Sequence, residues 1–91
     1  MGIYSIENIQ LMKKFPELAP ELYQSYIAFS KAVLNEGHLS RKEKEIIAVA
    51  VSHVTECPYC IDFHTKKAKK AGASLEELFE AVMAAAAIEA G

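Results

Sequence analysis

Hydrophobic and polar residues recur along most of the chain with the three- and four-residue spacing of α-helices. The clearest stripe predicts a helix from about Glu21 to Asn35, with Gly37 as its C-terminal cap. Its apolar positions are Leu22, Tyr26, Phe29 and Val33.

Two capping boxes mark the starts of further helices, since a serine and a glutamate three residues later satisfy each other's backbone N–H groups. The segment Ser40–Glu43 opens a helix that continues to Val54. Apolar residues cover nearly all of its faces after Glu45, so we expect it to be the central buried helix. The segment Ser74–Glu77 opens a last helix that runs through "LFEAVMAAAAIEA".

A helix that carries both cysteines is predicted between these two. Pro58 suits the first helical position, because its missing N–H costs nothing there, and Cys57 then becomes the N-cap residue. The helix is expected to reach about Ala71 and to stop at Gly72.

The remaining segment predicts a shorter helix from Ile6 to Lys14, before Pro16. No strand-like alternation is bounded by hairpin turn signals. The predicted class is therefore all-α, a small helical bundle that forms a single domain over residues 1–91.

Composition adds an expectation of self-association. A chain of 91 residues buries only about 60–65% of the surface that its unfolded form exposes. Yet 52% of its residues are hydrophobic, more than one small core readily hides. The run Ala84–Ala87 fits close helix packing at an interface, and it equally fits strong helix propensity.

Charge and hydropathy argue against nucleic-acid and membrane partners. The formal net charge is -2, and Lys66–Lys70 ("KKAKK") is predicted to be a solvated helix face rather than a nucleic-acid site. The apolar run Ile46–Val51 is much too short to span a bilayer. The first ten residues lack a basic start followed by an apolar run, so we expect no secretory signal and a cytoplasmic protein.

The stretch "ECPYCIDFH" contains the candidate chemistry. At the helix cap, the Cys57 sulfur meets exposed backbone N–H groups that favour a thiolate. Cys60 lies three residues on, close enough for an intramolecular disulfide, and His64 lies one turn beyond Cys60. A base beside one thiol and a second thiol within reach suit reversible thiol oxidation.

Glu45 is expected near this group. If its helix and the cysteine helix form an antiparallel hairpin that turns near Glu56, Glu45 lies level with Lys67, within about one turn of His64. A carboxylate there would hold the imidazole in one tautomer and raise its basicity.

Other interpretations of the cysteine segment remain open. The pair could simply be buried. Alternatively, Cys57, Cys60 and His64 could bind zinc, and the fourth ligand would be Glu45, His38 or His53. The protein would then be a zinc-binding or redox-sensing oligomer without enzymatic turnover. Covalent haem is excluded because Ile61 follows the second cysteine, and a thioredoxin-like fold would need βαβ units.

Three neighbouring residues carry weaker expectations. His53 is predicted to be a hydrogen-bonded core histidine, and His38 a loop residue without a chemical role. Tyr59, between the cysteines, is predicted to pack rather than to react.

The spacing Glu-x11-Cys-x-x-Cys-x3-His, from Glu45 to His64, resembles the AhpD-like branch of the carboxymuconolactone decarboxylase family. The resemblance covers roughly Leu39 to Gly91. It implies an all-helical subunit that assembles into homotrimers or homohexamers, and a cofactor-free thiol peroxidase of the alkylhydroperoxidase type. A protein or small-molecule disulfide oxidoreductase is the alternative.

The resemblance also implies roles for the site residues. Cys60 would attack a hydroperoxide, Cys57 would resolve the product, and His64 and Glu45 would relay protons. The helix-cap argument instead favours Cys57 as the more acidic thiol. A dithiol on a lipoyl-bearing or thioredoxin-like protein would regenerate the enzyme. Some members carry a histidine where this chain has Tyr59.

Overall fold

The computed structural model of the chain describes residues 5–91, and these residues form α-helices and no strands. The predicted all-α class is confirmed. The helices are α1 Ile6–Met12, α2 Phe15–Leu18, α3 Pro20–Leu34, α4 Arg41–Val54, α5 Pro58–Lys70 and α6 Leu75–Ala90.

Two compact units divide the described chain, residues 5–35 and Glu36–Gly91. In the first unit α2 packs against α3. Helix α3 matches the predicted segment within one residue at each end, but its C-cap is Asn35 and not Gly37. Asn35 leaves the helix directly into an extended conformation with ψ 152°, so no left-handed glycine is needed there. The prediction of one domain over residues 1–91 stays a prediction.

In the second unit α4 packs against both α5 and α6, as a central helix should. The prediction that it is buried on nearly all sides is wrong for the single chain. Its buried residues lie on one face, Glu45, Val49 and Ser52. Ile47 and Val51 on another face are 49% and 53% exposed, because only two helices of this unit cover α4. The core is completed by Ala68, Ala73 and Leu78, with Ile46 and Val82 packed against it.

Both predicted capping boxes are present. The Ser40 N–H donates to Glu43 Oε1 at 2.8 Å, and the Glu43 N–H donates to Ser40 Oγ at 3.0 Å. Ser74 and Glu77 repeat the same pair of bonds at 2.8 and 3.0 Å. The backbone N–H of Ser74, together with Lys42 at 2.9 Å, holds the pKa of the Glu77 carboxyl below its ordinary value of 4.5.

Helices α4 and α5 end in the same type of turn, a Schellman motif, in which two N–H groups beyond the helix bond back to its last turn. At the end of α5, Gly72 donates to the Lys69 carbonyl at 3.0 Å and Ala73 donates to the Ala68 carbonyl at 2.9 Å. Gly72 has φ 101°, so the predicted stop at this glycine is confirmed.

The turn after α4 lacks a glycine. Glu56 donates to the His53 carbonyl and Cys57 donates to the Ser52 carbonyl, each at 3.2 Å. Glu56 has φ 56°, the left-handed conformation that costs a residue with a side chain about 1–2 kcal/mol. The chain is therefore strained at the residue before the first cysteine.

The shorter helix ends at Met12 rather than Lys14, where the chain turns before α2. None of the helices within residues 5–91 combines the length and the apolar composition that a bilayer span requires. The expected absence of a secretory signal concerns a segment that includes residues 1–4, which lie outside the described residues, and it stays a prediction.

The two matching turns allow a paired test of this strain. We expect Glu56→Gly to raise the free energy of unfolding by about 0.5–1 kcal/mol, because relief of the left-handed strain exceeds the entropic cost of glycine. Gly72→Ala should lower it by about 1 kcal/mol, because it introduces the same strain. Urea unfolding measures both. A destabilised Glu56→Gly protein would contradict the strain argument.

Candidate functional site

The two cysteines lie at the N-terminus of α5, as predicted. Cys57 is the N-cap residue, with extended φ −101° and ψ 99°, and its Sγ accepts the Cys60 N–H at 3.3 Å. The Cα atoms are 5.3 Å apart, and the two sulfurs form a disulfide bond. The prediction that this pair can form an intramolecular disulfide is confirmed.

The backbone around Cys57 explains how the chain positions this residue. Cys57 is both the last residue of the Schellman turn after α4 and the first residue of the cap of α5. Ser52 contributes the carbonyl that accepts the Cys57 N–H, and its own hydroxyl donates to the Ala48 carbonyl at 2.6 Å. Buried hydrogen bonds of α4 therefore hold the cysteine that caps α5.

Glu45 and His64 join α4 to α5. His64 Nδ1 is 2.9 Å from Glu45 Oε1, so the predicted proximity of these two residues is confirmed. The Glu45 side chain is fully buried, and the His64 side chain is 21% exposed. Because a carboxylate only accepts hydrogen bonds, Nδ1 is the donor in this contact.

The buried carboxylate has little else to stabilise it. Glu45 Oε2 is buried and has no hydrogen-bond partner within residues 5–91. A buried carboxylate is costly unless it is paired, so His64 supplies the compensation that keeps Glu45 inside the protein. The contact therefore has both a structural role and a chemical one.

Helix geometry places His64 close to Cys60. The two residues are four apart in α5, so their Cβ atoms lie about 5–6 Å from each other on one face. His64 contacts α4 through Glu45, and Ala68, one turn further along, is fully buried. This end of α5 thus carries two sulfurs in bonding distance and an imidazole held by a buried carboxylate.

The three weaker candidates have the following surroundings. His53 Nδ1 is 2.8 Å from the Val49 carbonyl, which confirms the predicted hydrogen bond, but His53 is only half-buried and is not one of the core residues. His38 is exposed in the segment between α3 and α4, and Tyr59 is half-buried. Sequence reasoning missed the positioning roles of Ser52 and Glu56, because a Schellman turn is normally signalled by a glycine and here a glutamate stands in its place.

The zinc interpretation gains nothing from the arrangement of side chains. Across residues 5–91, no group of three or more His, Cys, Asp or Glu side chains is placed to hold a metal ion. The cysteine sulfurs form a disulfide with each other, and His64 Nδ1 is hydrogen-bonded to Glu45, so these atoms are already engaged.

The dependence of Glu45 on His64 can be tested by stability. His64→Ala should lower the free energy of unfolding at pH 7 by about 3–5 kcal/mol, because it leaves a buried carboxylate unpaired. Adding Glu45→Gln should recover part of this loss, since a neutral amide replaces the unpaired charge. In the unaltered background, Glu45→Gln should instead destabilise. Urea unfolding of the three variants measures these effects, and a further loss in the double variant would contradict the pairing.

Comparisons with known proteins agree with these features. The sequence profile described as "Carboxymuconolactone decarboxylase family" matches residues 20–91. A Paracoccus denitrificans protein called "Uncharacterized protein 4 in cox locus" is 46% identical over 67 residues, which cover 74% of this chain and 60% of the relative. The alkyl hydroperoxide reductase AhpD of Corynebacterium kroppenstedtii is 33% identical over 88 residues, covering 97% of this chain and 50% of the relative.

The chain thus spans about half to three fifths of the length of these two curated relatives. Among solved structures, the apo form of a carboxymuconolactone decarboxylase family protein from Legionella pneumophila has a TM-score of 0.85 at 33% identity, over 90% of this chain and 73% of that one. A Methanobacterium thermoautotrophicum protein has a TM-score of 0.79 at 42% identity, over 85% and 86% of the two chains. On these matches and its own AhpD-like site, the chain belongs to the carboxymuconolactone decarboxylase family.

Proposed function

We propose that this chain is a thiol-dependent peroxidase of the alkylhydroperoxidase type, which reduces hydroperoxides through a Cys57/Cys60 dithiol–disulfide cycle. The observation that carries the proposal is the position of Cys60, which is bonded to Cys57 and lies one helical turn from His64, whose ring is held by the buried Glu45. The name of the Corynebacterium relative, an alkyl hydroperoxide reductase, supports the same substrate class.

In the first step His64 acts as the base. Its Nε2 accepts the Cys60 thiol proton, and Glu45 stabilises the imidazolium that forms. The thiolate attacks the terminal oxygen of the hydroperoxide, so that an S–O bond forms as the O–O bond breaks. The leaving alkoxide takes the proton from His64, and the products are a Cys60 sulfenic acid and an alcohol.

In the second step the Cys57 thiol attacks the Cys60 sulfenic acid and displaces water, which forms the disulfide. An external dithiol then exchanges with this disulfide: it is oxidised to its own disulfide, and both cysteines return to thiols. We propose a lipoyl-bearing or thioredoxin-like protein as the dithiol donor. No cofactor enters these steps.

Two features bear on which cysteine attacks. Cys60 is one turn from His64, which favours Cys60 as the nucleophile. Cys57 Sγ already accepts the N–H of Cys60 at the helix N-terminus, an environment that suits a thiolate leaving group during reduction of the disulfide. We therefore assign attack on the peroxide to Cys60 and resolution to Cys57.

This assignment predicts different outcomes for two serine variants. Reduced Cys57→Ser protein should consume one equivalent of an organic hydroperoxide and stop at a sulfenic acid, because no second thiol can condense with it. Cys60→Ser protein should consume none on the same timescale. Intact mass spectrometry, with trapping of the sulfenic acid, measures both.

The unaltered protein is the control and should form the intramolecular disulfide with a matching loss of peroxide. Sustained turnover of Cys57→Ser with a dithiol donor would contradict the resolving role. If the thiols of the unaltered protein ignore hydroperoxides but exchange rapidly with a small disulfide, the protein is a disulfide oxidoreductase instead.

We also propose that the protein works as a homo-oligomer, a trimer or hexamer. The support is a groove between α4 and α6 that is lined almost entirely by aliphatic side chains and lies open in the single chain. Ile47, Val51 and Val54 form its α4 side, and Ile88 on α6 is 82% exposed. Exposed apolar patches of this kind usually mark protein interfaces.

The oligomer proposal predicts a solution mass three or six times that of the chain. Val51→Glu should shift the mass toward that of a monomer, because it would bury a carboxylate in an apolar contact. Lys69→Glu introduces the same group on α5, outside the groove, and should leave the mass unchanged. Light scattering after size-exclusion chromatography measures all three proteins. A monomeric unaltered protein would contradict the proposal.

The expectation that the protein is cytoplasmic stays a prediction.

A further inference from the structure

A strip of exposed and half-exposed side chains on α5 begins at the reactive end of the helix. At 100° per residue, Cys60, Phe63, Lys67 and Lys70 lie within about 80° of one another around the helix axis. His64 and Ala68 lie on the other side of Cys60 around the helix axis and face the interior of the protein. His64 contacts Glu45, and Ala68 is fully buried. Cys60 therefore marks the border between the buried face of α5 and this strip.

The strip joins an apolar surface to positive charge. Phe63 is 54% exposed, and its ring packs edge-on against the His64 ring with centroids 5.1 Å apart. The Lys67 ammonium lies over the Phe63 ring, 4.9 Å from its centroid. An exposed aromatic ring thus bridges the histidine of the site to a cation.

Lys67 has no acidic partner within residues 5–91. By contrast, Lys66 pairs with Asp62 at 3.4 Å, and Lys42 pairs with Glu77 at 2.9 Å. The cation–π contact with Phe63 leaves the charge of Lys67 uncompensated. Helix α5 contains four lysines and one aspartate, a formal charge of +3 with His64 neutral, whereas the whole chain carries -2.

We propose that this strip binds the substrate, and that the substrate is an apolar hydroperoxide with a carboxylate at its far end, such as a fatty-acid hydroperoxide. The inference rests on the peroxidase function proposed above for the reacting end. The hydroperoxide meets Cys60, the hydrocarbon lies along Phe63, and the carboxylate pairs with Lys67. Lys70, on the same side, adds a second positive charge.

The length of the strip sets the size of the substrate. Cys60 and Lys67 are seven positions apart, a rise of about 10 Å along the helix, and this length is an upper bound because the Lys67 ammonium folds back over the Phe63 ring. A medium-chain acyl hydroperoxide spans this length, and a small neutral hydroperoxide reaches Cys60 without touching the cation. The strip should therefore discriminate between substrates by charge and chain length rather than change the reaction itself.

The test compares a medium-chain fatty-acid hydroperoxide with its methyl ester, which has the same chain and lacks the negative charge. With reduced protein at low salt, the acid should oxidise Cys60 about fivefold faster than the ester at subsaturating concentration, as expected for one exposed ion pair. Lys67→Gln should remove most of the advantage of the acid, so that the ratio of the acid rate to the ester rate falls toward one. Lys69→Gln removes a lysine from the opposite face of α5 and should keep the preference. Added salt should weaken it.

The outcomes separate the two proposals. If the acid and the ester react equally and Lys67→Gln changes neither, the substrate class is wrong and the peroxidase function stands. If neither substrate nor a small neutral hydroperoxide oxidises the thiols, the peroxidase function fails. In that case the saturated fatty acid, which lacks the hydroperoxide group, is titrated into the protein, and its binding is measured by calorimetry. Binding that Lys67→Gln abolishes and Lys69→Gln preserves would uphold the carboxylate site, and absence of binding would overturn it.

Discussion

The structure of the second unit depends on one buried carboxylate. Glu45 is fully inside the protein, one of its oxygens contacts His64, and the other has no hydrogen-bond partner within residues 5–91. Such a group is tolerated only when an opposite or donating partner compensates it. The rotation of α5 about its axis must therefore keep His64 toward α4. That rotation also determines where Cys60 and the exposed strip of α5 lie.

The turn before Cys57 imposes a second constraint. Helix α4 ends in a Schellman motif whose last N–H belongs to Cys57, the same residue that caps α5. A left-handed Glu56 closes this turn at an energetic cost that Gly72 avoids in the equivalent turn after α5. Backbone strain of this kind is found at reactive sites, where surrounding contacts hold it in place. Here the hydrogen bonds of α4 provide those contacts.

The site is assembled from residues of one chain, whereas the apolar surfaces of that chain are left uncovered. Glu45, His64 and the cysteines are positioned by two helices of one chain. The groove between α4 and α6 instead leaves Ile47, Val51 and Ile88 exposed in a chain that is 52% hydrophobic. The four groups of the proposed chemistry thus all come from one chain. The proposed oligomer would cover the apolar surface.

The sequence was sufficient to predict α3 to α6, the N-terminal caps of α4 to α6 and the cysteine pair, because capping boxes, Pro58 at the first helical position and residue spacing act locally. It also predicted the Glu45–His64 contact, since an antiparallel hairpin makes residues equidistant from the turn neighbours. Three features could be read only from the folded chain: which face of α4 is buried, the left-handed conformation of Glu56, and the position of Lys67 over Phe63. These features depend on the rotation of the helices and on side-chain contacts. The apolar pattern of α4 covers nearly all of its faces and therefore does not specify its rotation.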